Sequence, residues 1–185
     1  MPNEPRWLTP VPETDSDGPD IAGFISKMCR QTKDTIAGSV GEDLAMRPWQ
    51  DSLLSDLFAK RDDGQRRFRR ALIGLPRKNG KSALSSGIAL AELFYTGPDG
   101  GEIFSCAADR DQARIVFGMA RQMVQMEPEL EAMCKVYRDA IERTDNGSVY
   151  RVLSAEAYTK EGLSPSLTIF DEVHAQPNDE LWNVM

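Results

Sequence analysis

The stretch LIGLPRKNGKS, Leu72 to Ser82, decides how this chain folds. Leu72 and Ile73 close an apolar run and predict a buried strand. Pro76, Arg77, Lys78 and Asn79 predict a turn, and Gly80-Lys81-Ser82 opens a helix. A strand, a short loop and a helix N-terminus make a phosphate-binding device. Backbone N–H groups at the start of a helix point outward, and the helix dipole favours negative charge there. In such a loop Lys81 reaches the β- and γ-phosphates of a nucleoside triphosphate, and the Ser82 hydroxyl ligates Mg2+. The spacing is irregular. The pattern G-x-x-x-x-G-K-[ST] asks for glycine where Leu75 stands, and Gly74 comes one residue early.

A second stretch, Leu167-Thr168-Ile169-Phe170-Asp171-Glu172, supports the same reading. It is an apolar strand ending in two acids. Asp171 would hold Mg2+, largely through water, because that ion keeps much of its hydration shell. Glu172 would polarise the water that attacks the γ-phosphate. A strand meeting a solvated acidic turn is common. Its order after a Gly-Lys-Ser loop makes it the second half of a nucleotide site.

At 185 residues, 41% hydrophobic and 28% charged, the chain has the composition of one globular domain or most of one. It holds no apolar run of about 18 residues, so no membrane span is predicted. Cys29, Cys106 and Cys134 are scattered and odd in number, which predicts reduced thiols rather than disulfides or a metal set. His174 is the only histidine, which excludes multi-histidine metal sites and Ser-His catalysis. The net charge of −7 argues against a protein that coats nucleic acid through its overall field. The run from Arg61 to Arg70, with five arginines, is a local exception. It reads either as a solvated approach to the strand or as a contact for a phosphate backbone or a neighbouring subunit.

Residues 1–19, rich in Pro, Asp and Glu, predict a flexible arm. Asp20 is placed as a helix cap, followed by an apolar face of Ile21, Phe24, Ile25, Met28 and Cys29. Pro48 suits the first turn of a second helix with Trp49, Leu53, Leu57 and Phe58 inward. Gln50 reads either as a surface residue or as an amide that pairs with adenine. Ala83 to Tyr95 predicts a largely buried helix. Ile103 to Ala107 predicts a strand, and Asp109 the cap of a long helix. Pro128 ends that helix or starts another running to Val136. Asp145-Asn146-Gly147 predicts a hairpin turn between Ala140–Thr144 and Ser148–Leu153. Strands alternating with helices imply a largely parallel α/β sheet, with the phosphate loop at the carboxyl end of a strand.

These residues resemble the large terminase subunit of tailed bacteriophages, of the siphophage type. MRPWQ, Met46 to Gln50, resembles the family's adenine-side segment, and LPRKNGKS its atypical loop, in which Arg77 stands for the early glycine. AADRDQAR, Ala107 to Arg114, and Thr159 to Leu167 running into Phe170-Asp171-Glu172-Val173-His174 resemble two further family segments. The resemblance covers residues 20–185. It implies a P-loop NTPase of the ASCE/RecA-like kind, an α/β fold with a mostly parallel sheet flanked by helices, incomplete at the C-terminus. Residues 20–185 would be the N-terminal part of the ATPase domain, with the nuclease domain not present.

The resemblance further implies an ATP- and Mg2+-dependent motor that drives double-stranded DNA into a procapsid. It would work as a homo-oligomeric ring at the portal protein, with a small terminase subunit, in the host cell cytoplasm and on no membrane. The implied site has Glu172, Lys81 and Arg77 in catalysis. Gln50, Arg77, Lys78, Asn79, Gly80, Lys81 and Ser82 would hold the nucleotide, and Ser82 and Asp171 the metal. Many family members carry an arginine ahead of the second motif where this chain has Glu161, so the cation offered to a neighbouring subunit is Lys160, Arg110 or Arg114. Two other readings stay open. Asp171-Glu172-Val173-His174 fits a DExH helicase, and the chain could be a nucleotide-binding assembly module without turnover.

Overall fold

The computed structural model describes residues 15–36, 38–107, 110–154 and 163–175. The arm through residue 14, the Asp109 cap, the loop with Lys160 and Glu161, and the tail from residue 176 lie outside the described residues.

The helices α1 (Gly18–Met28) and α2 (Pro48–Leu57) precede α3 (Lys81–Ala91), which runs into a π-helical turn, Glu92–Thr96. Strand β1 (Glu102–Ala107) leads to α4 (Arg110–Met126) and the short α5 (Pro128–Ala132). Then come β2 (Cys134–Val136), β3 (Ala140–Arg143), β4 (Val149–Ser154) and β5 (Pro165–Phe170). The sheet order is β2-β3-β4-β1-β5. β1 pairs in parallel with β4 on one edge and with β5 on the other. β2, β3 and β4 pair antiparallel, so the expected parallel sheet forms around β1 and a meander extends it.

Alternation along β1 sorts the core. Ile103 and Ala107 join the main core with α1, α3 and α4, while Phe104 and Cys106 pack with Leu153 and Phe170 on the other face. On the helical face Ser105 and Tyr150 satisfy each other through a hydroxyl contact of 2.5 Å, the alternative being two bare polar groups in a dry core. The helices stack closely: a Cβ on Gly87 of α3 would lie 3.0 Å from Ile25 of α1.

Several expectations need correction. Leu72 and Ile73 form no strand. Leu72 is 84% exposed and only Ile73 leans on the core. A strand exists as a member of a ladder, and residues 71–76 have no ladder partner among the described residues. Helix α5 stops at Ala132 rather than Val136, because Cys134–Val136 pairs with β3. Local helix propensity yields there to cross-strand hydrogen bonds. α1 begins at Gly18, with Asp17 at the cap position and Asp20 in the first turn. Residues 15–17 are already tied down rather than part of an arm: the Lys60 N–H donates to the Asp15 carbonyl at 2.7 Å, and the Ser16 hydroxyl to Ser55 at 2.6 Å.

The arginine run is partly structural. Arg66 donates to the buried carboxylate of Glu92 at 2.6 Å and lies over the Phe58 ring. Arg61 pairs with Asp63 at 3.1 Å, while Arg69 and Arg70 are exposed. Glu92 opens the π-helical turn, whose displaced carbonyls at Leu93 and Phe94 accept from the Arg143 guanidinium at 3.2 and 3.1 Å.

Two outcomes follow. Arg66→Ala strands the buried Glu92 carboxylate and is expected to cost about 3 kcal/mol, read as a lower urea midpoint. Cys29 and Cys106 are free thiols pushed up to about 12 by burial, and Cys134, half-buried, to about 11. At pH 8 iodoacetamide should modify Cys134 first and reach Cys29 and Cys106 only after unfolding, checked by mass spectrometry. Since these pKa values are raised, their contribution to stability is complete below pH 9 and is lost as pH climbs from there towards 12.

Candidate nucleotide site

The end of β5 sets one side of the site. The Asp171 N–H donates to the Cys106 carbonyl at 3.1 Å, which carries the ladder with β1 one residue past the strand. Asp171 is thereby held at the sheet end and is 8% exposed. The backbone then turns sharply. Glu172 adopts φ +49, its N–H meets Asp171 Oδ1 at 3.1 Å, and its carbonyl accepts from Ala175 at 2.8 Å.

The loop before α3 forms the other side. Asn79 closes it by donating from Nδ2 to the carbonyls of Pro76 and Arg77 at 3.2 and 3.3 Å. Lys78 has φ +67 and Gly80 φ +76. Only glycine adopts that region freely, so Gly80 is suited to it and Lys78 is strained. Among the described residues, Lys78 and Glu172 are the non-glycine residues with positive φ, and both belong to this site. The side chains of Arg77, Lys78 and Asn79 are exposed, and Ser82 lies in the first turn of α3.

Lys81, the first residue of α3, joins the two sides. Its Nζ lies 2.7 Å from Glu172 Oε1 and 2.9 Å from Asp171 Oδ1. The hydrogen bond to Glu172 raises the Lys81 pKa, burial opposes the shift, and Asp171 reinforces it. Residues 91 positions apart thus meet in one cluster of an ammonium and two carboxylates. Asp171 and Ser82 offer a carboxylate and a hydroxyl, hard oxygen donors of the kind Mg2+ takes alongside water and phosphate oxygens.

Gln50 is buried beside the loop, with Nε2 4.0 Å from where a Cβ on Gly80 would stand. Its Oε1 accepts the Arg47 N–H at 2.9 Å and so caps the start of α2. That cap was legible as a glutamine three residues after Arg47 with Pro48 between them. Arg114 is committed elsewhere. It makes a two-pronged pair with Asp139, Nε to Oδ1 at 2.8 Å and Nη2 to Oδ2 at 3.0 Å, and a third contact to Asp111. The backbone of Arg110 starts α4.

A family model described as "Terminase large subunit, ATPase domain" matches residues 48–185, which include the loop and the strand-end acids. The chain belongs to this family. The "Terminase, large subunit" of Enterobacteria phage HK97 is 32% identical over 167 residues, covering 84% of this chain and 30% of the relative. The "Terminase large subunit" of Lactococcus phage p2 is 30% identical over 112 residues, 58% of this chain and 21% of that one. The crystal structure of the HK97 bacteriophage large terminase superposes with a TM-score of 0.75 at 27% identity, covering 91% of this chain and 34% of that chain. The chain therefore spans about a third of the length of its HK97 relative. The α/β fold expected from the sequence is the fold of these terminase ATPase domains.

Gln50→Leu removes the acceptor at the start of α2. It is expected to cost about 1 kcal/mol of stability, measured by urea unfolding.

Proposed function

We propose that this chain is the ATPase part of a DNA-packaging motor, hydrolysing ATP to move double-stranded DNA into a procapsid. The observation that carries the reading is the meeting of Lys81 with Asp171 and Glu172 at the mouth of a phosphate loop, in a member of the terminase ATPase family. Phosphoryl transfer to water needs positioning and charge stabilisation more than covalent chemistry. Lys81 and the N–H groups at the start of α3 hold the phosphates, and Arg77 adds a guanidinium from the exposed loop. Lys78 and Asn79 shape that loop, and Gly80 lets its backbone turn into the helix. Gln50 supplies an amide beside it for the base. Glu172 orients the attacking water. Mg2+, held by Asp171 and Ser82, supplies charge neutralisation on the phosphate oxygens when bound.

The reading extends to a homo-oligomeric ring at the portal protein, a small terminase subunit as partner, and action in the host cell cytoplasm. Residues 20–185 are then the front part of an ATPase domain, and the residues ahead of the anchored Asp15 an arm. Because the Arg114 guanidinium is engaged by two carboxylates, the cation offered to a neighbouring subunit is better sought at Arg110 or Lys160. The family match favours this motor over the helicase reading of Asp171 to His174.

Nucleotide binding and ATP turnover, measured with and without double-stranded DNA, test the proposal. Lys81→Ala should weaken nucleotide binding by about tenfold or more, the size of a lost charge-assisted contact. Glu172→Gln should retain binding and lose about 10²- to 10⁴-fold in turnover. Wild-type turnover in Glu172→Gln would remove the assigned base. Binding without hydrolysis in the wild-type protein, even with DNA, would point to an assembly module instead.

A further inference from the structure

We propose that the loop tip at Ile36 of one copy of this chain seats in the groove beside Phe24 and Tyr95 of a second copy. The proposal rests on the homo-oligomeric reading above and uses none of the nucleotide-site residues. The groove follows the outer face of α1. Ile21, Ala22 and Ile25 turn into the core, while Asp20, Gly23 and Lys27 are exposed. Asp20, Gly23, Phe24 and Lys27 recur at helical spacing and, with Tyr95 of the π-helical turn and Met133, line a groove of about 360 Å³. The Phe24 and Tyr95 rings stack at 6.1 Å, with Tyr95 56% exposed. A Cβ on Gly23 would meet nothing within 4 Å, so the floor is open there. Asp20 and Lys27 stand about two turns apart along α1, one charge of each sign.

The connection from α1 to α2 doubles back on itself. The Gln31 N–H donates to the Glu42 carbonyl at 2.7 Å, the Gly41 N–H to the Gln31 carbonyl at 2.9 Å, and the Thr35 N–H to the Gly38 carbonyl at 2.9 Å across the tip. Arg30 fastens the base of this loop to Asp43 and to Glu127. The tip carries Ile36, fully exposed, with Val40 half exposed behind it. One exposed apolar side chain is ordinary on a protein surface. Here it stands on a tied-down loop, and the same surface holds an apolar groove. Full exposure of Ile36 means that the tip does not enter the groove of its own chain. Charge names the occupant. Lys33 and Asp34, both exposed, lead into Ile36. With Lys33 beside Asp20 and Asp34 beside Lys27 of the second copy, both pairs attract. The reverse orientation brings like charges together, so charge selects one way of docking. Tip and groove are different patches, so each copy offers its tip to one neighbour and its groove to another. Such a heterologous contact closes into a ring when the rotation allows.

Three measurements test this. In a Cys134→Ser background, Ile36→Cys protein and Gly23→Cys protein are mixed and oxidised. The mixture should give a disulfide-linked dimer joining positions 36 and 23, mapped by mass spectrometry, and the double variant a ladder of oligomers. No product from the mixture, or a dimer from Ile36→Cys alone, would overturn the proposal. Sedimentation velocity across a concentration series is the second. Ile36→Asp should weaken self-association by about tenfold or more, as for loss of a central apolar anchor. Ile115→Asp, on the exposed side of α4, should leave it unchanged. Equal losses in the two variants, or none in Ile36→Asp, would count against the contact. Third, maleimide labelling of Gly23→Cys identifies what covers the groove. Protection should grow with protein concentration and vanish in the Ile36→Asp background. Protection that ignores concentration and is lost on deleting residues 1–14 would assign the groove to that segment and sink the proposal. Wild-type protein that stays monomeric throughout would take the ring reading down as well. Self-association that persists unchanged in Ile36→Asp would leave the ring standing and remove this contact alone.

Discussion

The parallel ladders on the two edges of β1, together with burial of both its faces, constrain everything else in this molecule. β4 and β5 both lie far from β1 in the chain, yet both take their register from it. On one face Ile103 and Ala107 seat the helices, and on the other Phe104 and Cys106 hold Leu153 and Phe170. Parallel pairs require crossovers, so α4 lies across the sheet, with Phe117 packed edge-on to Tyr150 of β4 at 5.1 Å. The chemistry depends on the same strand. The Cys106 carbonyl receives Asp171, which fixes where β5 ends and where the acids emerge.

The helix that presents Lys81 is located by a different kind of contact. Ser86, wholly buried in α3, has its hydroxyl 2.7 Å from the Ser82 carbonyl and 2.8 Å from the Val116 carbonyl of α4. α4 is itself seated on β1 and β4, so the loop before α3 is referred to the sheet through a helix. This explains how the loop can be in place while residues 71–76 pair with no strand among the described residues. It also accounts for the nature of the strain. Lys78 and Glu172 take left-handed conformations, Lys78 in the loop closed by Asn79 and Glu172 in the turn to Ala175.

Charge in this acidic chain is organised locally. Arg30 reaches both Asp43 and Glu127, which fastens the end of α1 to the start of α5. Arg66, Arg114 and Arg143 each serve a carboxylate, and Arg143 also serves open carbonyls, at a place where two elements meet. Planar guanidinium groups suit such junctions, since several donors in a fixed fork can satisfy more than one acceptor. Arg69, Arg77 and Lys78 are exposed on the approach to α3 and within the loop.

By itself the sequence determined the nature of the parts. Gly80-Lys81-Ser82 required a loop opening into a helix, and Phe170-Asp171-Glu172 an apolar strand ending in acids. Asp145-Asn146-Gly147 required a turn, which Gly147 makes at φ +73. These are local: hydrophobic periodicity and the conformational range of single residues suffice to read them. Tertiary structure alone decided which parts meet. Leu72 and Ile73 are apolar enough for a strand and form none, because a strand depends on a partner that no local pattern supplies. Cys134–Val136 left a helical pattern to pair with β3. Gln50, legible as a polar residue near a tryptophan, became a helix cap against Gly80. The contact of Lys81 with Asp171 and Glu172 spans 91 positions of chain. Only the ladder on β1 and the packing of α3 against α4 bring those ends together, since a pairing at that separation is set by the fold and not by either segment.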